Sequence, residues 1–310
     1  MSVSPAPLSA ELVLGRTPSL KEPQLLDGVL YWQEQRPHEG GRTTLMRRRP
    51  GGSTEELTPG SWNLRCRVHE YGGGSCAIGR RSDGRAVAVF VNDSDRCLWQ
   101  LDLDANGASP QPLTPSACAA LGGGVIDSQR DRWIGIQEQN HTDQLVVVPL
   151  AGGPAQPLHQ PADFCGYPAL SADGQQLAWV EWQQPWMPWE RSQLWLARLS
   201  ETGDLLEARV VAGSGSSDAC AISVFQPIWA GNDLVVANDR SGFWNLERWC
   251  DARPDQQPSW QPLLEMEAEF AMPQWVFGMS THAWDGEQLD RKSTRLNSSH
   301  SSVSRMPSSA

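Results

Sequence analysis

The chain has 310 residues, enough for one large domain or two ordinary ones, and its 25 basic against 36 acidic residues give a net charge of −11. Such a surface repels phosphate backbones, which argues against nucleic acid as a partner. No apolar stretch approaches the roughly 18 residues of a membrane span, and Met1–Leu20 has no basic start followed by an apolar run, which argues against a membrane segment or a signal peptide.

Residues 1–21 read as a lead-in segment, with a short helix over Ser9–Leu14 capped by Ser9 and stopped by Gly15. From residue 22 to 291 one unit recurs: a tight turn, an apolar strand, a polar break, a second apolar strand and a Pro-containing exit. Asp27-Gly28 opens Val29–Trp32, followed by Thr43–Met46. Asp83-Gly84 opens Ala86–Phe90, followed by Leu98–Leu101. Arg130–Arg132 opens Trp133–Ile136, followed by Gln144–Val148. Asp173-Gly174 opens Gln176–Val180, followed by Gln193–Ala197. Gly231-Asn232 opens Asp233–Ala237, followed by Trp244–Trp249, and Asp285-Gly286 opens a sixth unit that does not close before residue 291. Asp-Gly supplies the positive φ angles of a tight hairpin. Short apolar runs are what strands sandwiched between neighbouring sheets require. The spacing predicts an all-β chain, a β-propeller of four-stranded blades with five blades and part of a sixth. A β-sandwich of similar strand count is the alternative, but it would not repeat at a near-constant period.

The last nineteen residues, Lys292–Ala310, contain eight serines, three basic residues and no acidic ones, leaving the rest of the chain at −14. Their composition reads as non-native or disordered sequence outside the domain. The seven cysteines include no Cys-x-x-Cys pair, and the six histidines show no metal-ligand spacing. No metal or cofactor site is expected, and reduced thiols point to a cytoplasmic protein. No Gly-x-Ser-x-Gly nucleophile turn occurs anywhere in the chain.

Four runs carry a resemblance: Arg65-Cys66-Arg67-Val68-His69-Glu70-Tyr71-Gly72-Gly73-Gly74, the Trp- and Pro-rich stretch Glu181–Glu190, the turn Asn238–Leu246, and Glu269–Gly278. Occurring in this order, they resemble the N-terminal propeller half of prolyl oligopeptidase-family serine peptidases of the acylaminoacyl-peptidase and dipeptidyl aminopeptidase type. The resemblance spans about Glu22 to Leu289. It implies a propeller of seven or so blades in the full family, covering the active site of a following α/β-hydrolase domain and admitting short peptides. That domain carries the catalytic Ser, Asp and His and would be this chain's missing partner. The chain itself is therefore expected to hold no catalytic residue and to be inactive alone.

Each run also has a structural reading. Arg67, His69 and Glu70 could form a hydrogen-bonded cluster under the glycine turn or touch substrate. Trp186 and Trp189 lie on a loop stiffened by Pro185 and Pro188 that either packs on the next blade or faces the partner domain. Asp239 and Arg240 could lock a hairpin, or Arg240 could hold a peptide oxygen with its planar fork. These seven residues are the candidate substrate contacts. The second functional reading is a stand-alone propeller that binds a protein or small ligand, since fold does not dictate function.

Overall fold

The computed structural model describes residues 17–115, 119–215 and 217–291. The expected helix over Ser9–Leu14 and the tail from Lys292 lie outside the described residues. Within them the chain forms five consecutive four-stranded antiparallel sheets and one two-stranded sheet. Blade 1 is β1 (Ser19–Leu26), β2 (Val29–Arg36), β3 (Arg42–Arg48) and β4 (Thr54–Glu56). Blade 2 is β5 (Cys76–Arg80), β6 (Ala86–Val91), β7 (Leu98–Asp102) and β8 (Gln111–Pro112). Blade 3 is β9 (Ala120–Asp127), β10 (Arg132–Gln139), β11 (Thr142–Pro149) and β12 (Gln156–His159). Blade 4 is β13 (Phe164–Leu170), β14 (Gln176–Trp182), β15 (Gln193–Leu199) and β16 (Leu205–Gly213). Blade 5 is β17 (Val224–Ala230), β18 (Asp233–Asn238), β19 (Asn245–Trp249) and β20 (Trp260–Pro262). A last pair, β21 (His282–Trp284) and β22 (Leu289–Arg291), flanks the Asp285-Gly286 turn.

The two apolar strands read in each unit are the middle strands of each blade. They are buried on both faces, so successive side chains alternate between neighbouring blades. On β6, Ala86, Ala88 and Phe90 pack towards blade 1, and Val87, Val89 and Val91 join the core shared with blades 3 and 4. On β14, Leu177 and Trp179 face that same core while Ala178 and Val180 pack with Leu234, Val236 and Trp249 of blade 5. This double burial explains why the runs are continuously apolar rather than alternating.

The first strand of each blade lies nearest the axis. In blades 1, 3, 4 and 5 it carries a bulge at the same place, two residues opposite one on the neighbouring strand. The bulged pairs are Glu22-Pro23, Gly123-Gly124, Tyr167-Pro168 and Gln226-Pro227, and the first residue of each has a positive φ, from 49° at Glu22 to 61° at Gly123. A left-handed backbone is costly for a residue with a side chain, and here it turns Glu22, Tyr167 and Gln226 towards the segment that runs from Trp275 to His282.

Among the described residues nothing covers one face of blade 1. Leu25 pairs with Leu30, and Leu20 with Glu34, placing the three leucines on the face opposite Tyr31, which packs on blade 2. Their exposures are 66% for Leu20, 65% for Leu25 and 38% for Leu30. Apolar side chains on a sheet face without a neighbour favour association between copies. The chain is expected to self-associate in sedimentation, and Leu25→Lys to shift it towards monomer. A clean monomer that binds no hydrophobic dye would contradict this.

Candidate functional site: the loop face

Antiparallel order sends the chain back and forth between two ends of every blade. The turns Asp27-Gly28, Asp83-Gly84, Asp173-Gly174 and Gly231-Asn232 all lie at one end. The loops between second and third strands, and the crossovers from one blade to the next, lie at the other. All four runs that carry the resemblance belong to this second end: residues 65–74 in the crossover from β4 to β5, 181–190 between β14 and β15, 238–246 between β18 and β19, and 269–278 in the crossover from β20 to β21. Sequence segments far apart in the chain therefore form one surface.

Near the axis the crossover at residues 65–74 is pinned to a buried carboxylate. His69 Nε2 lies 3.0 and 2.9 Å from the two oxygens of Asp143, a fully buried carboxylate that also accepts from the Cys165 N–H at 2.9 Å. The His69 backbone N–H donates to Glu138 Oε2 at 2.6 Å, and its ring stands edge-on to Phe164, Trp182 and Phe277. His69 thus ties a crossover between blades 1 and 2 to blades 3 and 4. Arg67 is held by Asp93, with Nε and Nη2 at 2.9 and 2.8 Å from Oδ1. Glu70 is exposed.

The glycines that follow let another segment cross the axis. Gly73 has φ +82° and bridges Phe277 as a parallel pair, so that any side chain at Gly73 would collide with the Phe277 carbonyl. Phe277 is 5% exposed, and a Cβ at Gly166 would stand 2.6 Å from its ring. The strap is fastened from several blades. Phe277 N–H donates to Gly72 O at 3.1 Å, Tyr167 Oη to Val276 O at 2.8 Å, and Gln226 Nε2 to Ser280 Oγ and His282 O at 2.8 and 2.7 Å. Glu22 accepts from the Gly74 N–H at 2.8 Å and from Gln33 Nε2 at 2.5 Å. Burial pushes the Glu22 carboxyl up to about 7, against the lowering effect of these two donors. Burial also holds the His282 imidazole down at about 4, and its Nε2 donates to the Gln226 carbonyl at 2.9 Å.

Above the strap a row of rings reaches solvent. Trp275 (43% exposed) packs tilted against Trp189 at 4.4 Å between centroids and stands 6.2 Å from Tyr71 (65% exposed), with Met187 exposed on the same loop as Trp189. Three rings from three separate connections make this row, of which the sequence reading singled out Trp189 alone. Trp186 is not part of it; its ring lies under the Arg191 guanidinium at 5.0 Å. Asp239 and Arg240 sit apart on blade 5. Asp239 Oδ1 accepts from the Ser223 N–H at 2.8 Å, while Arg240 Nη2 is 2.7 Å from Glu247 and its Nε bonds Asn238 Oδ1 at 3.3 Å.

His69, His159 and His282 spend Nε2 on Asp143, Glu181 and a carbonyl. The contact between Thr281 Oγ1 and His282 Nδ1 is 3.4 Å long and buried. Among the described residues no group of three or more His, Cys, Asp or Glu side chains gathers as a metal site.

The chain matches no protein-family model and no curated protein. Among solved structures it is 32% identical to a puromycin hydrolase, with a TM-score of 0.79 over 91% of this chain. It is 31% identical to a puromycin-hydrolyzing peptidase of Mycobacterium tuberculosis, with a TM-score of 0.77 over 90% of this chain. The chain resembles the propeller half of prolyl oligopeptidase-family peptidases. This propeller half spans 44% and 42% of the length of those two proteins. A prolyl oligopeptidase B from Galerina marginata, 12% identical with a TM-score of 0.57, shares the fold.

Proposed function

We propose that this propeller is the non-catalytic, substrate-gating portion of a cytoplasmic serine peptidase acting on short peptides. The catalytic Ser, Asp and His would reside on an α/β-hydrolase domain of the same polypeptide, placed over the loop face. The observation that carries this reading is the convergence of all four similar runs on one face, with the exposed Tyr71, Trp275 and Met187 at its centre. Large apolar side chains collected on one surface mark an interaction site, and aromatic rings supply most of the contact energy in such sites. The propeller would act by sterics, leaving acyl transfer to the activated serine.

The test compares a hydrolase domain alone with the same domain joined to this propeller. The joined protein is expected to cleave a short peptide and to spare the same cleavage sequence within a folded protein. The hydrolase alone is expected to lose that discrimination, and the propeller alone to turn over nothing and to resist a serine-directed covalent probe. Equal discrimination with and without the propeller would sink the gating role.

A further inference from the structure

The loop between β14 and β15 closes over a small recess lined by Glu181, Trp182, Trp186, Arg191, Gln193 and Ser214, among others. Arg191 is only 7% exposed, and among the described residues no carboxylate stands within ion-pair distance of it. Its Nη1 donates to the carbonyls of Gly215 and Asp218 at 2.5 and 2.7 Å, its guanidinium lies over the Trp186 ring, and its Nε has no partner. A buried charge normally has a counter-charge, because desolvating it costs several kcal/mol. Two carbonyls and an aromatic face satisfy part of the guanidinium and leave its positive charge uncompensated.

The recess has room for about 30 Å³ of water-sized occupant. One water needs roughly 10–15 Å³ by the same measure, so the space suits a two-oxygen head group and not a whole side chain. The other charged residue lining it, Glu181, is already engaged. Its Oε1 is 2.7 Å from His159 Nε2 and accepts from Trp179 Nε1 at 2.6 Å. A carboxylate so placed penalises a doubly charged anion more than a singly charged one.

We propose that this recess is a carboxylate-binding subsite. Arg191 supplies the charge-assisted donors, and the Trp182 and Trp186 rings form apolar walls beside the carbon that bears the carboxylate. The planar fork of arginine matches the two oxygens of such a group. A free small acid and the terminal carboxylate of a peptide share this chemistry. The inference needs no catalytic domain and stands or falls separately from the gating role.

The test titrates the full chain with sodium acetate, N-acetylglycine, N-acetylglycinamide and inorganic phosphate, following the indole N–H resonances of Trp182 and Trp186 by NMR. Saturable shifts are expected with both acids and none with the amide, and phosphate is expected to bind at least about tenfold more weakly than the acids. N-acetylglycine binding well above acetate would identify a peptide terminus as the source, and equal binding a free acid. Arg191→Gln is expected to lose the acid response, with Arg191→Lys in between because it keeps the charge and loses the fork. Should either variant fail to fold, the acid–amide comparison on the unaltered chain still decides. Equal responses to acid and amide, tighter phosphate, or no saturable shift with any of the four would overturn the proposal.

Discussion

Replacing His69 by alanine is expected to destabilise the chain by about 1–3 kcal/mol, the cost of leaving a buried acceptor without its hydrogen-bond partner. Asp143 has no exposed surface, and His69 and the Cys165 N–H are the donors that hold its oxygens. Without the imidazole the carboxylate stays buried with the backbone donor alone, and residues 65–74 lose a tie to blade 3. Rings of three other residues also lose their edge contact with His69. His69→Gln restores a donor and is expected to recover part of the loss. Denaturant unfolding with an unchanged m-value measures both variants. A loss below about 1 kcal/mol for the alanine variant would show an interaction screened by solvent, as surface pairs are.

The second large effect concerns pH. Glu22 titrates near 7 in the folded chain against an ordinary 4.5. Between those values the unfolded chain has released the proton and the folded chain still holds it, so this group lowers stability as pH rises, by roughly 3 kcal/mol in all. His282 does the opposite. Its folded value near 4 lies below an ordinary 6.5, so its contribution is complete above 6.5 and lost as pH falls towards 4. The two windows overlap, and the unaltered chain is expected to show a nearly flat stability profile between about pH 4.5 and 6.5. Glu22→Gln keeps an acceptor for the Gly74 N–H and removes the charge. It is expected to stabilise the chain at about pH 8 by roughly 2–3 kcal/mol and to expose a profile that rises with pH. His282→Gln is expected to expose a falling one. Parallel profiles for the two variants would contradict the assignment.

The residues explain why half of each blade was readable in advance. The middle strands, such as Ala86–Val91 and Gln176–Trp182, are apolar throughout because neighbouring blades cover both faces. Turns containing Asp-Gly, Gly-Asn or, in blade 3, Asp131 mark where they begin. The axial strands hide the same information. Lys21-Glu22-Pro23-Gln24, Cys165-Gly166-Tyr167-Pro168 and Phe225-Gln226-Pro227 carry a proline and polar residues that argue against a strand in sequence. In the fold those prolines sit in bulges, where no ladder hydrogen bond is asked of them. A proline four or five residues before the openers of blades 1, 4 and 5 was the signal for Glu22, Tyr167 and Gln226.

The candidate site was legible as four runs of sequence and illegible as a surface. Only the antiparallel order brings Tyr71, Trp189 and Trp275 together, from crossovers and a loop in three parts of the chain. His69 and Arg67 stood out for their chemistry, and both are engaged by partners, Asp143 and Asp93, that no local pattern links to them. Arg191 follows the Trp-rich stretch directly. Its want of a counter-charge is a property of burial, which sequence does not display.

Whether the loop face receives a catalytic domain is tested most directly by hydrogen exchange on this propeller, alone and joined to an α/β-hydrolase domain. Joining is expected to slow exchange in residues 65–74, 183–191 and 269–278 and to leave the opposite turns at Asp83-Gly84, Asp173-Gly174 and Gly231-Asn232 unchanged. Protection at those turns, with the loop face unaffected, would contradict it.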